Sequence, residues 1–212
     1  GEPNYVFFGG HNLISSIIVF FSPYFMPILF VLAGISTRFA LQKRTTKEYL
    51  VERTKKLLIP LLFGTIVLMP IMSYIGDVFN CSYKGGVVQH YGVFFTKFTD
   101  LTGADGGFSF GQFWFLLYLM IISVVGVGII KLIEKFVTKT EFQIPFWSVL
   151  LLGLPIPLFS ELLSISGKSF VEFTYLFLLG YFIFSDNKVM DKTEKNCLWL
   201  LGVGLVSALL NV

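Results

Sequence analysis

The sequence predicts an all-α fold: a polytopic bundle of about six membrane-spanning helices with the N-terminus outside. Three observations support this prediction: the apolar composition, the length of the apolar segments and the distribution of charge between them. Hydrophobic residues make up 55% of the chain and charged residues 14%, and the mean hydropathy is +0.77. Soluble domains carry about 25% charged residues, so this chain has too few charges to present a water-facing surface. We therefore expect residues 1–212 to form a single transmembrane domain.

Six apolar segments are candidates for membrane spans. A transmembrane helix needs roughly 20 apolar residues to cross about 30 Å of hydrocarbon. The predicted spans are 13–36, 57–79, 113–133, 144–163, 170–185 and 197–212. Prolines fall inside or at the ends of several spans, where neighbouring helices can satisfy the freed backbone groups. They therefore predict kinks rather than breaks.

The connections between the spans are alternately rich and poor in Lys and Arg. The first connection, residues 37–56, holds seven of these cations against two glutamates, whereas the second, residues 76–112, holds two cations. Three cations lie at the end of the third span and after it, one lies between the fourth and fifth spans, and three lie between the fifth and sixth. Because cytoplasmic connections are enriched in Lys and Arg, the first, third and fifth are predicted to be cytoplasmic and Gly1 to lie outside.

The two ends of the chain predict that it is an interior fragment. Residues 1–12 contain neither a basic segment nor an apolar core, so no cleavable signal precedes the first span. An outside N-terminus without a signal indicates at least one helix upstream, and an apolar segment that runs to Val212 indicates further helices downstream. Cys81 and Cys197 are predicted on opposite sides of the bilayer, so we expect no disulfide between them.

Two blocks of the sequence carry a series of short motifs. The first, Phe25–Gly64, joins a Met-Pro, an aromatic-rich stretch, a patch of small residues (Ala33, Gly34 and Ser36) and a basic connection ending in RTKKLLIP. The second, Gly106–Ile122, ends an outer connection in Trp-Phe-Leu. In this order and spacing the chain resembles the acyltransferase-3 family, in particular the branch that includes the glucan-succinylating proteins.

The resemblance implies a multi-pass enzyme of a bacterial inner or plasma membrane. Such an enzyme moves an acyl group from a cytoplasmic acyl-coenzyme A (acyl-CoA) to a hydroxyl of a cell-surface glycan or glucan. Acyl-CoA is then the donor substrate, and no cofactor is implied. The expected partners are acyl-CoA, the acceptor glycan and membrane lipids. A net charge of +3 spread over separate connections gives no reason to expect nucleic acid.

The basic connection is the candidate donor site. On a helix, Tyr49, Arg53 and Lys56 share one face, and guanidinium and ammonium groups there can receive the phosphates of acyl-CoA. The family's Arg-x-x-Arg is assigned to the donor, and in this chain Lys56 takes the second position, which keeps the charge but loses the planar fork. Arg38 and Arg44 are expected helpers. The alternative is that these cations mark the cytoplasmic side and attract anionic lipid, at about 1 kcal/mol each.

The candidate acceptor residues are Gln112, Trp114 and Glu161. Many relatives place His at the position of Gln112; Gln can hydrogen-bond a sugar hydroxyl but cannot act as a base near neutral pH. Trp114 stands where the chain re-enters the membrane, either as a sugar platform or as an ordinary interfacial aromatic residue. Glu161 lies beside a short outer turn, where it either lines an acceptor cleft or is solvated at the interface.

The catalytic residue is not identified by the sequence. In the family it is usually a His in a helix upstream of the Met-Pro, and that helix is expected to lie upstream of this chain. His11 is a candidate, with an ordinary exposed His as the alternative, and His90, in the outer segment VVQHYG, is disfavoured. The sequence has no HExxH or CxxC spacing, so no metal ion is expected.

Two other classes of function stay open. One is a transporter or flippase for an anionic or lipid-linked substrate, which the near absence of charge within the spans and the lack of an evident inverted repeat weaken. The other is the membrane sensor of a signalling protein, which requires a soluble output domain beyond Val212.

Overall fold

The computed structural model describes residues 12–98, 105–136, 151–160, 162–165 and 168–210. These residues are predominantly helical, which confirms the predicted all-α class. Contacts divide the chain into two compact units: Leu50–Ile121 lies in the first, and the second joins His11–Tyr49 to Ile122–Val212.

Most of the described helices are apolar, whereas α8 is polar and the first half of α2 is charged. In chain order the described helices are α1 (Asn12–Lys43), α2 (Thr46–Phe63), α3 (Met69–Cys81), α4 (Val87–Thr96), α5 (Trp114–Phe136), α6 (Ile156–Phe159), α7 (Phe170–Leu179), α8 (Asn187–Lys195) and α9 (Cys197–Leu210). The π-helical segments Gly64–Leu68 and Gly180–Phe184 follow α2 and α7, and a 3-10 turn, Gly111–Phe113, precedes α5. Strands β1 (Ser164–Ile165) and β2 (Lys168–Ser169) pair antiparallel, with Ser164 opposite Ser169.

Among the described residues, three helical segments have the length and composition to cross a membrane: Tyr24–Lys43, Thr46–Cys81 and Gly111–Phe136. Phe170–Phe184 and Cys197–Ser207 are shorter apolar helices. These five segments overlap the first, second, third, fifth and sixth predicted spans. The count of six and the outside N-terminus stay predictions.

The described part of the fourth predicted span, 144–163, is not a continuous helix. Residues 152–155 form turns, and the four-residue α6 follows them. Pro155 and Pro157 explain the interruption, since neither has a backbone N–H to donate to a helical ladder. Residues 144–150 lie outside the described part of the chain.

The basic connection, residues 37–56, is largely helical on both sides of a short break. Helix α1 continues to Lys43 and α2 begins at Thr46, because Lys, Arg, Gln and Glu are good helix formers. Thr45 and Glu48 begin α2 with a capping box: Thr45 Oγ1 accepts from the Glu48 N–H at 3.3 Å, and Glu48 Oε2 accepts from the Thr45 N–H at 2.9 Å. The connection between the first two spans is therefore a tight break between two helices.

In the unit that contains Leu50–Ile121, the helix continues through two prolines. Pro60 lies inside α2, and Pro70 lies at the start of α3, just after a π-helical segment that ends with the Met69 N–H donating to Gly64 O. This longer-range bond shifts the hydrogen-bond ladder just before the proline that cannot donate. The Phe113 ring lies against Gly64, where an added Cβ would be 2.4 Å from the ring.

In the second unit, α1 packs closely against α7 and the π-helical segment after it. A Cβ on Gly34 would lie 2.0 Å from Phe177 O, and one on Gly180 would lie 2.1 Å from Val31 O. Phe30 stacks on Phe173 with ring centroids 4.5 Å apart. The small-residue patch of the sequence is thus a close backbone contact between helices.

Candidate functional site

The predicted donor residues lie on the last turns of α1, in the break that follows it and in the middle of α2. Arg38 is on α1, Arg44 is in the break between the helices, and Arg53 and Lys56 are on α2. The first two belong to the unit containing His11–Tyr49 and the last two to the unit containing Leu50–Ile121.

Arg38 lies in a polar cluster built from three elements of its unit. Its guanidinium carbon is 5.1 Å from the centroid of the Tyr181 ring, a cation–π distance. The Tyr181 hydroxyl donates to Glu134 Oε1 at 2.9 Å. Arg38 from α1, Tyr181 from the π-helical segment and Glu134 from α5 therefore hold one another in place.

Tyr49 contributes to packing rather than to an open cationic surface. Its side chain is buried, and its hydroxyl lies 2.7 Å from the Thr37 hydroxyl. Thr37 in turn donates to Ala33 O at 2.7 Å. The face predicted from the spacing of Tyr49, Arg53 and Lys56 thus begins with a buried residue.

Lys56 and Arg53 occupy different environments on α2. The Lys56 side chain is 72% exposed, and its Nζ lies 2.6 Å from Glu52 Oε1, one helical turn earlier. Arg53 is half-buried. Since exposed ion pairs between i and i+4 are weak, the Glu52 carboxylate reduces the local charge of Lys56 without removing its access to a ligand.

The predicted acceptor residues Gln112 and Trp114 lie at the start of α5. Gln112 is exposed in the 3-10 turn, whose first residue, Gly111, has a φ of +49°. Ser109 Oγ accepts from the Gly111 N–H at 2.8 Å. Trp114 is half-buried and meets Tyr118 edge-on, with ring centroids 5.3 Å apart. The turn thus presents an amide beside an aromatic ring.

His90, which the sequence disfavours as the catalytic residue, has a buried acidic neighbour. His90 lies on α4, its side chain is 0% exposed, and Nε2 is 3.2 Å from Asp77 Oδ2. The rings of Tyr74 and Tyr83 meet it edge-on, with centroids 5.5 Å and 5.2 Å away. Within the part of the chain that the structure describes, neither ring nitrogen has a hydrogen bond of good alignment. The contact with Asp77 is therefore a close approach rather than a well-directed hydrogen bond.

Two candidate residues, His11 and Glu161, lie outside the described residues. Within residues 12–98, 105–136, 151–160, 162–165 and 168–210, no group of three or more His, Cys, Asp or Glu side chains is arranged to hold a metal ion.

Long apolar helices with large exposed hydrophobic side chains define this chain as an α-helical membrane protein. A family model described as an acyltransferase domain matches residues 3–212. The chain belongs to the acyltransferase-3 family and is a membrane acyltransferase. Comparison with curated proteins and with solved structures finds no match.

Proposed function

We propose that this protein moves an acyl group from a cytoplasmic acyl-CoA to a hydroxyl of a cell-surface glycan or glucan. The family match supports acyl transfer, and it favours an enzyme over the transporter alternative. The observation that supports an acyl-CoA donor is the succession of cations along the sequence of residues 37–56, which ends on α2 with Arg53 and Lys56.

The donor side of the proposal is electrostatic. The phosphates of acyl-CoA are recognised best by charge-assisted hydrogen bonds, and Arg provides a planar fork for two phosphate oxygens. Arg53 and Lys56 are the principal donor residues that we propose, with Arg38 and Arg44 as helpers. Tyr181 restrains Arg38 through its ring, which lowers the conformational entropy lost on binding.

The acceptor side of the proposal uses Gln112 and Trp114. An exposed amide can hydrogen-bond sugar hydroxyls, and an indole ring offers an apolar face to a sugar ring. In the reaction, the acceptor oxygen attacks the thioester carbonyl, an ester bond forms and the C–S bond breaks. A base takes the hydroxyl proton, and coenzyme A leaves as its thiol. The residue that acts as this base is not assigned.

Binding of acyl-CoA to the purified protein in detergent tests the donor site. Succinyl-CoA and acetyl-CoA are the probes, and wild type is compared with Arg53→Ala and Lys56→Ala at about 0.05 and 0.5 M salt. We expect Kd to rise about 10-fold for Arg53→Ala and about threefold for Lys56→Ala at low salt, because Glu52 already offsets part of the Lys56 charge. Both effects should shrink at high salt.

Lys195→Ala is the matched control, since it removes a cation that the sequence also places on the cytoplasmic side. Its Kd should equal that of wild type. Unchanged binding in Arg53→Ala and Lys56→Ala, with the variants folded, would assign these cations to topology and lipid contact instead.

A further inference from the structure

A buried polar cluster lies at the end of α3, in the unit that contains Leu50–Ile121. Asp77 is 8% exposed at its side chain, and His90 is fully buried beside it. Ser82 adopts a left-handed conformation with a φ of +57°, and the Tyr83 N–H donates to Asp77 O at 3.2 Å. This reversal after α3 brings the Tyr83 ring onto the imidazole.

The other side of Asp77 supports a glycine-rich segment. A Cβ on Gly106 would lie 2.5 Å from Asp77 Cγ and from Asp77 Oδ2, so the carboxyl group lies directly against the Gly106 backbone. Gly106 has a φ of +82°, a conformation that suits glycine. One turn before Asp77, the fully buried Ser73 donates to Gly107 O at 3.1 Å. The Asp77 carboxyl group is thus held between the imidazole of His90 and the backbone of Gly106.

The anchored segment leads directly to the proposed acceptor residues. Four residues separate Gly107 from Gln112, and within them Ser109 is buried and bonds to the Gly111 N–H. The start of the segment is joined to the end of α4, since the Phe108 N–H donates to Lys97 O at 2.8 Å. The position of the Gln112 turn therefore depends on contacts at both Asp77 and Lys97.

Packing alone does not account for a carboxylate and an imidazole at this place. Polar and charged groups are costly to bury, and apolar side chains of similar volume often give equal or greater stability. Such a pair is most useful where it fixes a particular geometry. Here the geometry is that of the Gly106–Gly111 segment against α3.

We propose that Asp77 and His90 are positioning residues for the acceptor-binding turn. They hold the Gly106–Gly111 segment so that Gln112 and Trp114 are presented in one orientation. Neither residue touches the substrate, and the assignment of the turn to the acceptor rests on the proposed function.

Fluorescence quenching tests the positioning without any substrate. Trp147→Phe and Trp199→Phe leave Trp114 as the single tryptophan of the chain, and acrylamide is the quencher. Asp77→Asn keeps the shape of the side chain but removes its charge, and we expect the quenching constant of Trp114 to change by about twofold as the segment loosens. Cys81→Ser, a conservative change at the same end of α3, should leave the constant unchanged. Equal quenching in Asp77→Asn and its parent would overturn the proposal.

Kinetics provide the second readout, with succinyl-CoA as donor and a glucan oligosaccharide as acceptor. Asp77→Asn and His90→Gln should each raise the acceptor KM about 10-fold, while Kd for succinyl-CoA stays within about twofold. The reason is that misplacement of the Gln112 turn affects only the acceptor. The acceptor KM of the double variant should be little higher than that of either single variant, since the two residues act as one unit. An equal weakening of donor binding and acceptor binding in these variants would overturn the positioning role.

Ser73→Ala is the second variant if Asp77→Asn does not fold. It removes one hydroxyl and its bond to Gly107, and it should change Trp114 quenching and acceptor KM in the same direction. If the parent protein shows no transfer, the proposed function fails, and the quenching measurement still decides whether Asp77 positions the turn.

Discussion

Arg38 and Lys56 are both cations of the basic connection, yet their surroundings differ. Arg38 lies over the buried Tyr181 ring, whereas Lys56 is largely exposed and pairs with Glu52. Electrostatic contacts strengthen as water is excluded, and exposed ion pairs contribute at most about 1 kcal/mol. Arg38 is therefore tied to the fold, while Lys56 can exchange Glu52 for a ligand at little cost.

Lys56→Arg is the single substitution that separates donor binding from a role in topology. Arginine restores the fork of the family's Arg-x-x-Arg, and two parallel hydrogen bonds to a phosphate are stronger than one ammonium contact. We expect Kd for succinyl-CoA to fall about threefold. Lys55→Arg, the same change at the neighbouring exposed position, is the control and should leave Kd unaltered. If Lys56 serves only topology or lipid contact, Kd should be equal in wild type, Lys56→Arg and Lys55→Arg.

Helix contacts decide where small residues are required. The α1 contact with α7 and the following π-helical segment brings backbones together at Gly34 and Gly180, whereas a Cβ on Gly128 of α5 meets no atom within 4 Å among the described residues. Glycines in membrane helices thus have two separate roles here. Gly34 and Gly180 permit close approach between helix backbones, whereas Gly128 only lowers helix propensity.

Gly34→Ala should disrupt this helix contact. The added methyl group would lie 2.0 Å from Phe177 O, a backbone atom that cannot move aside as a side chain can. We expect a loss of about 2 kcal/mol or more in the free energy of unfolding, seen as a lower midpoint in a thermal scan in detergent. Gly128→Ala is the control and should be neutral or slightly stabilising. Equal midpoints for the two variants would show that α1 and α7 do not meet as described.

The sequence predicted the helical segments better than it predicted the contacts between side chains. Five of the six predicted spans overlap helical segments, because apolar length is a local property of the chain. The start of α2 at Thr46 was not predicted, although the Thr45–Glu48 capping box is a local signal for it. Asp77–His90 and Tyr181–Glu134 were missed because their members are 13 and 47 residues apart. Such pairs depend on packing, and no local pattern reports them.

At the scale of the whole molecule, the proposed function requires a particular orientation. Acyl-CoA is cytoplasmic, so Arg53 and Lys56 must face the cytoplasm, and an acceptor on the cell surface requires Gln112 and Trp114 to face outward. The predicted topology satisfies both conditions. The two cysteines report on it directly, because Cys81 and Cys197 are both exposed and are predicted on opposite sides of the bilayer.

Thiol labelling of intact cells therefore tests the orientation. The single-cysteine variants are Cys197→Ser, which keeps Cys81, and Cys81→Ser, which keeps Cys197. A membrane-impermeant maleimide should label Cys81 in intact cells and label Cys197 only after the cells are permeabilised, because the reagent reaches only the outer side of an intact membrane. Permeabilised cells are the control, since both variants should then react. The reverse pattern would place the α1–α2 cations outside, beyond the reach of cytoplasmic acyl-CoA. The proposed donor site would then be excluded, although the family assignment and the helix contacts would be unaffected.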